Sequence, residues 1–145
     1  MKISSILATK SHAIYTIGPE QSLQEVVELL VRHNIGALPV LDEHGKLTGI
    51  ISERDVIRHI AESGSMRETA VWEIMTRNVI IGVPQDDIIS VANTMTEKRF
   101  RHLPIVEGGR LIGIISIGDI LKAQRDTYRG EIDTLETQIM AGEDV

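Results

Sequence analysis

Apolar positions along the chain follow two different rhythms, each appearing twice. Leu23, Val26, Val27 and Leu30 keep the i, i+3, i+4, i+7 spacing of an amphipathic helix, and Ile88, Val91, Ala92 and Met95 repeat it 65 residues later. Ahead of each helix stands a short apolar run, Ile14 to Ile17 and Val79 to Val83, predicted as a strand. A proline (Pro19, Pro84) and a residue suited to cap the helix (Ser22; Asp86 or Asp87) separate the two. The helices are expected to end near Asn34 and Arg99. Beyond the first lie two short strands, Ala37 to Leu41 and Leu47 to Ile51, joined by Asp-Glu-His-Gly-Lys. In the second copy Glu-Gly-Gly-Arg fills that place, a hairpin signal. A further helix is predicted after Ser52 and after Ser116. The order is βαββα, written twice, in a mixed α+β (α/β) chain.

The duplication extends to residue identity. Aligning Ile35 to Arg58 with Phe100 to Lys122 gives nine identities in 23 positions, among them Leu38/Leu103, Pro39/Pro104, Gly49/Gly113, Ser52/Ser116 and Asp55/Asp119. Composition alone would supply about one or two. The predicted units are residues 1–65, 66–122 and a tail, 123–145. With 145 residues, they are expected to form one compact body. Four aromatics leave the core to aliphatic side chains, and the absence of cysteine removes disulfides, thiolate metal sites and thiol nucleophiles. No segment reads as a signal peptide or a membrane span, so the expectation is a cytoplasmic protein without membrane contact. The net charge is −6, of which the tail from Ala123 carries −4. No broad basic field exists to displace counterions, which argues against nucleic acid as a partner.

Ser-x-x-Asp closes the repeated block in both copies and has two readings. It is a capping box, with Ser52 or Ser116 accepting from the first helical turn and Asp55 or Asp119 complementing the helix dipole. It is equally a polar set able to hold a ribose and a phosphate at a helix start. Gly49 and Gly113 weaken the preceding strands unless some group approaches closely, which favours an occupant there. The copies differ around this frame. Arg54 sits inside the first motif, where the dipole disfavours it and an anion would justify it, and Gly118 replaces it in the second. Lys98 and Arg99 read as solvated residues at a helix end, whereas Arg101 and His102 lie past it, just before the strand.

These residues look like a tandem pair of cystathionine-β-synthase (CBS) domains, a Bateman module, over about residues 1–122. The carriers are apolar-Pro-apolar after the first helix, then Gly-Ile-Ile-Ser, then Ser-x-x-Asp, twice. Ser-Glu-Arg-Asp, Glu-Ile-Met-Thr and Lys-Arg-Phe-Arg-His-Leu-Pro resemble the small stand-alone bacterial type. The resemblance implies pseudo-twofold packing of the repeats, two clefts between them, and adenosine-containing ligands there: AMP, ADP, ATP or NAD(H). Transferred position by position, it implies that Ser11 and Ile14 join Ala37, Leu38, Pro39, Ser52, Arg54 and Asp55 in a first site. Thr76, Arg77, Asn78 and Val79 join Arg101, His102, Leu103, Pro104, Ser116 and Asp119 in a second, where the family's geometry makes Arg101 and His102 the candidate phosphate contacts. Thr76 to Val79 match the stretch whose backbone meets the adenine edge, and the first copy departs there, with three extra residues before Ser11.

No catalytic or metal-binding pattern is present, and the five histidines lie at no metal-ligand spacing within a helix. The expectation is therefore a nucleotide-sensing regulatory protein without chemistry of its own, relaying occupancy to a protein partner. A ligand-free dimerisation or scaffold module, an S-adenosylmethionine sensor and a nucleotide-using enzyme are the alternatives. In the tail, Tyr128, Ile132, Leu135 and Ile139 form one narrow apolar stripe, suited to docking on a second copy, so a homodimer is expected. Gly130 offers a point for a break in that helix. Residues 62–73 read as the linker, pinned by Trp72.

Overall fold

The computed structural model describes residues 1–10, 13–66 and 68–143, with side chains through Ala141. Ser11, expected at the first site, lies outside the described residues. In order, the elements are α1 (Ile3–Thr9), α2 (Leu23–His33), β1 (Ala37–Leu41), β2 (Leu47–Ser52), α3 (Glu53–Ser63), α4 (Val71–Ile74), α5 (Ile88–Lys98), β3 (His102–Glu107), β4 (Arg110–Ser116) and α6 (Ile117–Glu143).

Each repeat builds one antiparallel hairpin. Leu38 faces Ile51 across β1 and β2, and Leu103 faces Ile115 across β3 and β4. The predicted lead-in strands shrink to single parallel bridges, Ile17 with Val40 and Gly82 with Ile105. Pro39 and Pro104 carry no N–H, so each offers that edge only its carbonyl, which accepts from Ile17 (3.1 Å) and Gly82 (2.9 Å). The helices end as read: Asn34 and Arg99 are the C-caps of α2 and α5, both left-handed. Ser22 and Asp87 cap their N-termini. Gly130 makes no break, since α6 runs unbroken for 27 residues.

The aliphatic side chains separate into two cores, and each core takes its lid from the other copy. Ile3 and Ile6 of α1 pack with Ile88, Val91, Ile105 and Ile115. Val71 of α4 and Met75 pack with Leu23, Val26, Val40 and Ile51. The sequence boundary at residue 65 thus divides the hairpins but not the cores. Backbone bonds repeat the exchange: Ser4 N–H donates to the Pro84 carbonyl at 2.9 Å, and Trp72 N–H donates to Pro19 at 3.0 Å. Val71, fully buried, anchors the linker; the Trp72 ring, expected to pin it, stays 44% exposed. No helix among the described residues is long and apolar enough to cross a membrane.

Candidate functional site

Both Ser-x-x-Asp motifs form the capping geometry. Ser52 N–H donates to Asp55 Oδ2 at 2.8 Å while Asp55 N–H donates to Ser52 Oγ at 3.2 Å. Ser116 and Asp119 do the same at 2.8 and 3.1 Å. From there the copies diverge. Lys10, the residue that ends α1, donates from Nζ to Asp119 Oδ2 at 2.7 Å and to the Ile114 carbonyl at 2.6 Å. The matching carbonyl in the first copy, Ile50, accepts instead from the Thr76 backbone N–H at 2.9 Å. Three extra residues before Ser11 give α1 a further turn, so an ammonium stands where the other copy has an amide. Burial opposes ionisation of Asp119, but Lys10 and the Ser116 N–H together outweigh it and hold the carboxyl below its ordinary range. Asp55 pairs with no cation among the described residues, and its Oδ1 makes no hydrogen bond there.

Asp55 borders a cavity of about 330 Å³. Ser52, Arg54 and Asp55 line it from the first repeat, and Asn78, Arg101 and His102 from the second, with Thr76 and Val79 between. The clefts are therefore assembled crosswise: Thr76, Asn78 and Val79, assigned by position to the Asp119 site, line the cavity beside Asp55. Pairing of Ile50 with Thr76 fixes this, because it lays the second copy's lead-in beside the first copy's hairpin. Ile14, assigned to the first site, lies with Lys10, Leu7 and Gly113 around a second cavity of about 310 Å³.

Several expected contacts take other roles. Ala37, Leu38, Pro39, Leu103 and Pro104 are buried in the cores and line neither cavity. Arg77 turns away, donating to the Trp72 carbonyl at 3.1 Å. Ser116 caps α6 without lining a cavity. The group approaching each strand glycine is the chain itself: a Cβ on Gly49 would stand 2.8 Å from the Thr76 carbonyl oxygen, and one on Gly113 2.7 Å from Leu7 Cδ2.

His102 reaches the first repeat where Gly36 has no side chain, and a Cβ on Gly36 would be 3.1 Å from its Nε2. Burial pushes the imidazole pKa below the ordinary 6.5, against the raising effect of Glu53. Arg58, Lys98 and Arg99 also line the Asp55 cavity and were not among the expected contacts. Arg58 had a signal, standing four residues after Arg54 on one helical face.

Comparison with known proteins adds a consistent frame. Residues 3–62 and 71–126 each match the CBS domain family. The CBS domain-containing protein YhcV of Bacillus subtilis is 33% identical over 118 residues, covering 81% of this chain and 84% of its own. The crystal structure of the CBS-domain containing protein ATU1752 from Agrobacterium tumefaciens superposes with a TM-score of 0.82 at 38% identity, over 85% of this chain and 92% of that one. The CBS domain pair of protein MJ0100, solved in complex with 5'-methylthioadenosine and S-adenosyl-L-methionine, superposes at 0.78 with 32% identity, over 88% and 98% of the two chains.

Proposed function

This chain belongs to the CBS domain family, and we propose that it is a regulatory module binding an adenosine nucleotide, of the AMP, ADP, ATP or NAD(H) class, in the Asp55 cleft. One observation carries the reading: the cavity joins a carboxylate whose Oδ1 makes no hydrogen bond among the described residues to arginines that pair with no acid there. Asp55 Oδ1 is chemically suited to accept from ribose hydroxyls, the N-terminus of α3 and Arg54 to face a phosphate, and Thr76, Asn78 and Val79 to border the base. The MJ0100 domain pair, solved in complex with two adenosyl compounds, supports a ligand of that class. Its S-adenosyl-L-methionine carries a sulfonium cation, which Arg54 and Arg101 would repel, so a phosphorylated adenosine fits this cleft better.

In this reading the second cavity is the weaker site: Asp119 does not line it, and a ribose reaching that carboxylate from the cleft beside Lys10 competes with the Lys10 ammonium. Ligand in the Asp55 cleft bridges both repeats through Asp55 and Arg101, and a change in their relative position is what a protein partner would sense. The module performs no chemistry and works in the cytoplasm as a homodimer. The exposed stripe Tyr128, Ile132, Leu135 and Ile139 on α6 supports the dimer, because a helix with its apolar side uncovered gains stability from a second copy. Native mass spectrometry of the protein as purified tests the reading: a co-purified adenosine nucleotide on a dimer supports it. Failure of AMP, ADP, ATP and NADH all to shift the melting temperature at millimolar concentration favours the ligand-free scaffold.

A further inference from the structure

The walls of the Asp55 cleft carry more positive charge than a nucleoside monophosphate can neutralise. Arg54, Arg58, Lys98, Arg99 and Arg101 all border it, with only Glu53 and Asp55 in opposition. None of the five cations makes an ion pair among the described residues. Lys98 has an ordinary reason to be where it is, because the C-terminal turn of α5 attracts a cation. Two others do not. Arg54 occupies the first turn of α3, the end that repels positive charge. Arg99 holds the left-handed backbone at φ 57 and ψ 46, a conformation that glycine or asparagine adopts far more readily. At the equivalent cap of α2 the chain uses Asn34, at φ 50 and ψ 51, and the same turn is made without a charge. Two arginines that break local rules of helix chemistry thus border one cavity, and Arg58 adds a third charge one turn along the face that bears Arg54.

We infer that the Asp55 cleft is built for a phosphoanhydride chain: an adenosine di- or triphosphate, whose distal phosphates meet Arg58 and Arg99, in preference to the monophosphate. The inference rests on the nucleotide reading above and adds the length of the phosphate chain. A proximal phosphate satisfies Arg54 and Arg101; a second and third supply the charge that Arg58, Lys98 and Arg99 otherwise lack. Linked phosphates also suit guanidinium groups, whose planar forks bind two oxygens at once.

Calorimetric titration of the protein stripped of nucleotide, with AMP, ADP and ATP at fixed ionic strength, tests this. ADP and ATP are expected to bind about tenfold or more tightly than AMP, and salt to erode that advantage, as for any partly exposed charge. The double variant Arg58→Gln/Arg99→Asn, which places at 99 the residue that caps α2, should fold normally and bring the ATP-to-AMP affinity ratio towards one. AMP binding as tightly as ATP in the unaltered protein overturns the inference while leaving the nucleotide reading intact. So does a ratio that the double variant leaves unchanged. Absence of binding by all three nucleotides overturns the nucleotide reading and this inference together.

Discussion

Lys10 Nζ lies 2.7 Å from Asp119 Oδ2, while Asp55, the same residue of the repeated motif, has no cation paired with it among the described residues. Duplication supplied two equivalent carboxylates, and a one-turn extension of the first lead-in helix gave one of them an internal partner. Replacing Lys10 by methionine is expected to lower stability by about 1 kcal/mol, the pair being only partly buried. The same variant should open the Asp119 cleft to nucleotide. Denaturant melts and a titration showing a second binding event check the two halves of that statement.

Acidification should destabilise the protein in two steps. The folded-state pKa of His102 lies below its ordinary 6.5, so on lowering the pH the unfolded chain takes up the proton first, and stability falls from about pH 6.5 downward until the folded imidazole also protonates. Asp119 is held below 3.8, so its contribution is complete above that value and disappears as the pH falls through the lower folded value. Unfolding free energies at about pH 7.5 and about pH 5.5 should differ in the parent protein and differ less in His102→Gln.

The strand glycines predict an asymmetric pair of variants. An added Cβ at Gly49 meets the backbone carbonyl of Thr76, which cannot move without breaking its bridge to Ile50, whereas at Gly113 it meets the end of the Leu7 side chain. Gly49→Ala is expected to cost about 2 kcal/mol and to damage the Asp55 cleft, and Gly113→Ala about 1 kcal/mol or less. Thermal melts of the two single variants distinguish them.

Much of this was written in the pattern of residues, and the exceptions have physical causes. The helices, hairpins and caps depend on local periodicity and capping chemistry, so Ser22, Asn34, Ser52 and Arg99 could be placed from sequence. Which repeat supplies the lead-in to which hairpin depends on tertiary packing of Val71 and Met75, and no local pattern encodes it. Gly49 signalled a close approach correctly, but a glycine does not say whether ligand or chain approaches. Lys10 looked like any surface lysine until Asp119, over a hundred residues away, came beside it. Leu38 and Leu103 belong to the repeated block, yet β1 and β3 are covered on both faces, so these leucines are buried in the cores rather than at a cleft.

The uncovered face of α6 carries a further expectation. Tyr128, Ile132, Leu135 and Ile139 are each more than half exposed, although they occupy one side of a helix too long to be held by its first turns alone. Leu135→Lys should convert a dimer to monomer, or weaken it by at least about tenfold, without altering the melting of the repeats. Sedimentation velocity across a concentration series gives the answer.

Titrating Asp55→Asn beside Asp119→Asn with ADP, after removal of bound nucleotide, tests adenosine nucleotide recognition at the cleft assembled from both repeats. An amide in place of the Asp55 carboxylate removes a charge-assisted acceptor for the ribose and should weaken binding by about 1.5 to 3 kcal/mol, while Asp119→Asn leaves ADP affinity at that site nearly unchanged. Unchanged affinity in Asp55→Asn would rule out ribose recognition by that carboxylate and assign the repeated motif to helix capping alone.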